Sequence, residues 1–303
     1  MRRREKTHGK RSHTSYILAP KMRLIRTKSD FPFNLSQSIA LVLVLMSFPL
    51  FRTVNSQEES LPSDLYVPAS NIAIMTIAKG DKYNLMGRLA HKNHAHFAEM
   101  NKVDYINAGH YTDDILPGQW FKIKALIDYL PMFKWIMWMD ADSLVCGWDL
   151  NIFKFIGMAD PLQDVVIGAD LEGSIFNSGV FWIRNSTWSL NFLRRVLERG
   201  YLDPFTRYHP FFEQLAMQDL FRNSPEIRRH FLVIPNSMRH EFNSYIIDNS
   251  YRRPGMKVLH DAGCRLRLDA QMCQLWYRSY YCMCTHDRDS DPECATDKVI
   301  QMT

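Results

Sequence analysis

The stretch Trp135-Ile136-Met137-Trp138-Met139-Asp140-Ala141-Asp142-Ser143 constrains the fold most, because a run of large apolar side chains ends abruptly in two carboxylates spaced i, i+2. Such a run suits a strand covered on both faces, as in parallel sheets flanked by helices. In open α/β sheets ligands bind beyond the carboxyl ends of the strands, which is where Asp140 and Asp142 fall. Two hard oxygen ligands one residue apart can hold a divalent cation that also binds a diphosphate. Alone, Asp-x-Asp is a weak signal, since solvated acidic turns are common. The apolar run before it argues against a solvated turn here.

Strand and helix signals alternate through the rest of the chain. Ile72 to Ala78 reads as a first strand, Tyr83 to about Met100 as a helix, and Val103 to Ala108 as a second strand. Trp120, Ile123, Ile127 and Leu130 recur at helical spacing, and Pro131 ends that helix before the Asp140 strand. Val165–Ala169 and Val180–Arg184 read as strands with Phe176-Asn177-Ser178-Gly179 between them. A helix with Leu190, Leu193 and Leu197 on one face is expected to stop at Gly200, and Pro210 suits the first turn of another carrying Glu213 and Gln214. Phe231–Ile234 and Lys257–His260 are the last strand candidates. The alternation predicts an α/β fold with a parallel, helix-covered sheet.

The formal net charge of +5 is misleading. Residues 1 to 30 carry ten Lys/Arg against Glu5 and Asp30, so that tail alone is +8 and the rest of the chain is −3, the difference between +5 and +8. A nucleic-acid-binding domain carries its positive charge on the folded part, so that partner is set aside. Phe31 to Phe51 is a run of 21 uncharged residues. It suffices for a membrane span, which takes roughly 20 apolar residues. The basic flank upstream, against Glu58, Glu59 and Asp64 downstream, puts the N-terminus in the cytosol. A cleaved signal peptide is the alternative, but a basic leader of this length is unusual for one. The expected layout is a cytosolic tail (1–30), a transmembrane signal anchor (31–51), a stem (52–70) containing Pro62 and Pro68, a catalytic domain (71–285) and a C-terminal tail (286–303).

All six cysteines follow the anchor: Cys146, Cys264, Cys273, Cys282, Cys284 and Cys294. On the luminal side they can form disulfides, the last five stapling an irregular C-terminal segment, and the sequence does not choose the pairing. Cys146 is expected to be a buried apolar filler. A zinc site at Cys282-Met283-Cys284-Thr285-His286 lacks a second ligand pair of matching spacing. Asn185-Ser186-Thr187 is a glycosylation acceptor if that side is luminal. Trp276, Tyr277, Tyr280 and Tyr281 are expected to fill a core rather than stack on sugar rings.

His260 closes the last strand candidate and is followed by Asp261-Ala262-Gly263-Cys264-Arg265. A lone histidine at a strand end is usually structural. Taken with Asp140 and Asp142, its imidazole would complete a three-ligand site with open positions for phosphate oxygens, and Arg265 would bind the diphosphate.

Trp120-Phe121-Lys122-Ile123, the Trp135–Ser143 stretch, Phe176–Gly179 with Ile183-Arg184-Asn185-Ser186-Thr187-Trp188, Glu213-Gln214 and His260–Cys264 occur in the order seen in glycosyltransferase family 34. The resemblance covers roughly Asn71 to Cys273, and the ordered set is far more specific than any member of it. It implies a GT-A fold, a type II Golgi enzyme with a luminal catalytic domain, a nucleotide-sugar donor (UDP-galactose, GDP-mannose or UDP-xylose), a glycan acceptor and Mn²⁺. Whether such an enzyme acts alone or as a homo- or hetero-oligomer with other transferases stays open.

Carried over residue by residue, Asp140, Asp142 and His260 resemble the metal ligands. Asn177 and Gly179 match the motif lining the donor-sugar pocket, with Ala141 and Gly263 beside it, and Gly80 and Asp81 fall where the first strand meets the nucleotide. Gln214 matches the glutamine beneath the reacting sugar carbon, Glu213 is the nearest carboxylate to it, and Arg265 stands where relatives place a lysine on the diphosphate. Two positions depart from the pattern. Phe212 stands where plant members have a second acidic residue, and Asp261 where an apolar residue is usual. The competing reading is a catalytically silent relative that binds nucleotide sugar or scaffolds a transferase complex.

Overall fold

The computed structural model describes residues 70–78, 84–170, 174–245, 257–260, 270–285 and 290–294. The predicted anchor, Phe31 to Phe51, lies outside them. No helix among the described residues is long and apolar enough to cross a membrane.

In chain order the elements are β1 (Ile72–Thr76), α1 (Asn84–Met100), β2 (Asp104–Asn107), α2 (Phe121–Tyr129), β3 (Trp135–Met139), β4 (Ser143–Val145), α3 (Phe153–Ile156), β5 (Val165–Ala169), β6 (Phe176–Arg184) and α4 (Thr187–Leu202). There follow α5 (Pro204–Tyr208), α6 (Phe212–Asn223), α7 (Pro225–Arg229), β7 (Phe231–Ile234), α8 (Arg239–Phe242), β8 (Ser244–Tyr245), β9 (Val258–His260) and α9 (Ala270–Cys284). The main sheet has the order β2-β1-β3-β6-β5-β7, and a smaller one the order β4-β9-β8.

The sheet is mostly parallel, as expected, but β6 runs against both neighbours, β3 and β5. β6 also begins at Phe176 rather than Val180, so Asn177, Ser178 and Gly179 are strand residues and not a connecting loop. A register shift between Ile167 and Gly168 accommodates them opposite β5.

β1 and β3 are buried along their whole length, so alternate side chains feed two cores. Ala73, Met75, Ile136 and Trp138 join a cluster with Trp120, Ile123, Leu126, Phe192, Leu193 and Met217 from α2, α4, α6 and the turn before α2. Ile72, Ile74, Trp135, Met137 and Met139 face the opposite cluster, with Phe97, Phe155 and Phe242. Each fully buried side chain of this size contributes about 1.5–3 kcal/mol, which fixes β3 and hence the position of the residues that follow it.

A third cluster joins Met86, Leu89 and Ala90 of α1 to Leu144, Leu259, Tyr277, Tyr280 and Tyr281. The tyrosines therefore fill a core. The C-terminal segment, expected to be irregular, is helix α9, and Cys146 is not a filler but is disulfide-bonded to Cys284. Cys282 is bonded to Cys294, so with Cys284 bonded to Cys146 the two disulfides together remove both thiols of the zinc alternative.

Two helix signals were misplaced. α4 runs through Gly200, where an added β-carbon would lie 2.8 Å from the Trp120 ring, so this glycine marks close packing and not a helix end. Asp203 ends α4 and caps α5, with Pro204 in the first turn. Pro210 lies in the turn before α6.

Candidate active site

Asp140 leaves the carboxyl end of β3 with its N–H donating to Gly179 O at 2.7 Å. Its carbonyl accepts from Ser143 N at 3.0 Å and Ser143 Oγ at 2.7 Å, which closes a tight turn around Ala141 and Asp142. The chain then enters β4, and β4 pairs antiparallel with β9 so that Ser143 lies opposite His260. This short pairing, unread in the sequence, carries the imidazole to the acidic turn. Ligand atoms of Asp140, Asp142 and His260 all lie within 4.8 Å of one another. His260 Nε2 is 3.2 Å from Asp142 Oδ1.

The donor set fits a divalent cation. About 3 Å between neighbouring ligand atoms is what a six-coordinate ion with ~2.1 Å bonds requires, and carboxylate with imidazole suits Mn²⁺. The carboxylates are open to solvent (side chains 30% and 28% exposed for Asp140 and Asp142), while the imidazole is buried. Trp138 Nε1 and Lys122 Nζ both donate to Asp140 Oδ1, at 2.6 and 2.9 Å, which leaves Oδ2 for a cation.

His260 has its tautomer set from behind. Gly179 N–H donates to Asn177 Oδ1 at 2.9 Å, so that atom is an acceptor. It also accepts from Asn243 Nδ2 at 3.1 Å, so Asn243 turns its Oδ1 to His260 Nδ1 at 3.0 Å. His260 Nδ1 therefore carries a proton, and Nε2 faces Asp142. Burial pulls the imidazole pKa down, but the Asp142 carboxylate outweighs it and holds the ring above the ordinary histidine range. Gly179 is required by space: a β-carbon there would lie 2.0 Å from His260 Cε1 and 2.7 Å from Nε2.

Lys122, to which the sequence reading gave no role, is buried among Asp140, Glu213 and the main chain of Ser178. Its ammonium lies 2.9 Å from Asp140 Oδ1, 2.9 Å from Glu213 Oε1 and 3.1 Å from Ser178 O. The two carboxylates overcome burial and hold its pKa above the usual lysine value. Glu213 is pushed up by burial, against the pull of Lys122 and with a further push from Asp140. The legible signal was a single cation inside the buried run Trp120, Phe121, Lys122, Ile123.

Glu213 and Gln214 open α6 and are both buried. Ser178 joins them, its N–H donating to Gln214 Oε1 at 2.9 Å and its hydroxyl lying 2.9 Å from Glu213 Oε1. Gln214 Nε2 reaches toward Asp170 Oδ2 at 3.4 Å. Ala141 turns its methyl into the third cluster, so only its backbone is left for a ligand. Gly80, Asp81, Gly263 and Arg265 lie outside the described residues.

No family model matches the chain. It is 26% identical over 215 residues to an alpha-1,2-galactosyltransferase of Schizosaccharomyces pombe, a match covering 57% of this chain and 55% of the relative. An uncharacterised alpha-1,2-galactosyltransferase of the same yeast matches at 25% over 212 residues, with the same shares. The chain thus spans about half the length of the curated relatives it matches. A solved glycosyltransferase involved in glycosylation of the major capsid of PBCV-1 has a TM-score of 0.54 to this chain at 13% identity, over 68% of this chain and 98% of that one, which is a likeness of fold. The fold is thus GT-A-like, as in that solved glycosyltransferase, with Asp140, Asp142 and His260 gathered at the carboxyl end of β3. In sequence it resembles the two yeast alpha-1,2-galactosyltransferases.

Proposed function

We propose that the protein is a Mn²⁺-dependent type II Golgi enzyme that moves galactose, mannose or xylose from a nucleotide sugar to a glycan acceptor with retention of configuration. The observation that carries this reading is the convergence of Asp140, Asp142 and His260 at the carboxyl end of β3. Those residues would hold a divalent cation, whose chemistry there would be to neutralise charge on a departing nucleoside diphosphate. Asp140 and Asp142 would give it oxygen ligands and His260 Nε2 the third, with the imidazole held by Asn243. Lys122 Nζ, 2.9 Å from Asp140 Oδ1, holds that carboxylate in place. The names of the yeast relatives favour galactose.

Attack on the anomeric carbon from the leaving-group face is favoured over a covalent intermediate on Glu213. The Glu213 carboxylate is buried, and its Oε1 is engaged by both Lys122 and Ser178, which lowers its nucleophilicity. The disulfides Cys146–Cys284 and Cys282–Cys294 support an oxidising, luminal compartment, and the run from Phe31 to Phe51 supports the anchor.

The test is release of nucleoside diphosphate by the detergent-solubilised full chain from UDP-galactose, GDP-mannose and UDP-xylose, with and without Mn²⁺, beside Asp142→Asn. Turnover of one donor, lost without metal and in the variant, is the expected result. Metal-independent turnover, or turnover untouched by Asp142→Asn, would refute the assignment of the site.

A further inference from the structure

Leu202, Phe205, Tyr208 and Phe211 recur at every third position between α4 and α6, and all are exposed, at 74%, 70%, 63% and 52%. Soluble domains rarely leave such a cluster of large apolar side chains to water without a use for it. The stripe is largely aromatic and also holds His209, whose ring centroid lies 5.3 Å from that of Phe205 and 5.4 Å from that of Phe211. It leads directly into the candidate site, because Phe211 is the N-cap of α6 and the first turn of that helix carries Glu213 and Gln214. At the joint Phe212 has φ 39, a left-handed conformation that a bulky side chain adopts only when its surroundings impose it.

We infer that this stripe is a stacking platform for an extended glycan acceptor, its sugar rings lying on Phe205, Tyr208 and Phe211 as the chain runs toward Gln214. The inference rests on the transferase reading and names its acceptor class. Aromatic rings match the occupant, since the C–H face of a pyranose is apolar and its rim polar, and Tyr and His offer polar edges beside flat faces. Both charged residues within the stripe are committed internally. Asp203 caps α5 through Phe205 N at 3.0 Å, and Arg207 donates from Nε to Gly200 O at 2.7 Å and from its terminal nitrogen to Tyr201 O.

The test uses the full chain in detergent, wild type against Phe205→Ala/Tyr208→Ala, with far-UV circular dichroism checking that the variant is folded. Acceptor probes are methyl α-mannoside, methyl α-galactoside, maltohexaose and cellohexaose. For whichever hexaose serves as acceptor, KM rises about tenfold in the variant, while donor KM and release of nucleoside diphosphate into water are unchanged. Saturation-transfer NMR of the same saccharides reads contact without turnover, and the contact weakens in the variant. An acceptor KM within twofold of wild type with undiminished NMR contact overturns the inference. So does a preference for the methyl glycosides, or an effect of the variant only on liposome binding or on self-association. Loss of NMR contact in a protein that turns over no donor would leave the platform standing and remove the transferase reading instead.

Discussion

Asn243 Oδ1 accepts a buried 3.0 Å hydrogen bond from His260 Nδ1, and this contact decides which nitrogen of the imidazole faces Asp142. Asn243 is itself oriented by Asn177, and Asn177 by the backbone N–H of Gly179. The Phe176–Gly179 segment thus reaches the acidic cluster from behind, through an amide that the sequence reading did not single out.

Asn243→Ala is expected to weaken Mn²⁺ binding about 10- to 100-fold, the usual cost of losing a partner that orients a metal-binding histidine. Isothermal titration calorimetry reads this directly. An affinity within twofold of wild type would show that Asn243 does not orient His260.

Gly179→Ala is expected to abolish Mn²⁺ binding while leaving far-UV circular dichroism unchanged. The added methyl would occupy the space of His260 Cε1, 2.0 Å away, and β6 is held on both sides and cannot retreat. Wild-type metal affinity in this variant would mean that His260 can move without consequence.

Lys122→Met leaves Glu213 buried without its cation and is expected to cost about 3–5 kcal/mol of stability. Adding Glu213→Gln should restore much of that loss, because a neutral amide needs no counter-charge. The double variant should not recover activity, since Asp140 still lacks its lysine. Denaturant midpoints of the two single variants and the double variant form the cycle, and strictly additive losses would rule out the coupling.

Glu213→Gln alone separates the two retaining routes. Same-face attack predicts activity at a tenth of wild type or more, because Glu213 then serves only to hold Lys122. A fall of several orders of magnitude, with trapping of a glycosyl-enzyme by mass spectrometry, would establish the covalent route instead.

His94, bonded to Ser143 directly behind the acidic turn, supplies a pH dependence of stability. Its Nε2–H donates to Ser143 O at 3.0 Å and its Nδ1 accepts from Thr76 Oγ1 at 2.8 Å, so the ring is held neutral. Burial pushes its pKa down to about 3, from an ordinary value of about 6.5 in the unfolded chain. A depressed histidine contributes stability that is fully present above about pH 6.5 and is lost as pH falls toward 3. The slope is about 1.4 kcal/mol per pH unit for one proton. Urea midpoints measured from pH 7 to 5 should fall more steeply in wild type than in His94→Gln, and parallel slopes would assign the acid sensitivity elsewhere.

Much of the site was legible because strong local signals carried it. The unbroken apolar run gave β3 its bounds, and the i, i+2 carboxylates at its end were found where an open sheet binds ligands. His260 was legible only as a candidate, since its approach depends on β4 and β9, each a three-residue strand too short for a periodic signal. Asn243 was missed for a related reason, as it precedes a two-residue strand. Lys122 was hidden because sequence patterns score a lysine as solvated, and only the fold shows the two carboxylates that allow its burial. The antiparallel β6 and the passage of α4 through Gly200 are tertiary outcomes, set by neighbouring strands and by the Trp120 ring.

The most direct measurement is titration of the metal-free full chain with Mn²⁺, followed by electron paramagnetic resonance, for wild type, Asp142→Asn and His260→Ala. One saturable site per chain is predicted in wild type, strengthened by nucleoside diphosphate and lost in both variants. No saturable binding in wild type, or binding that survives both substitutions, would contradict a metal site at Asp140, Asp142 and His260.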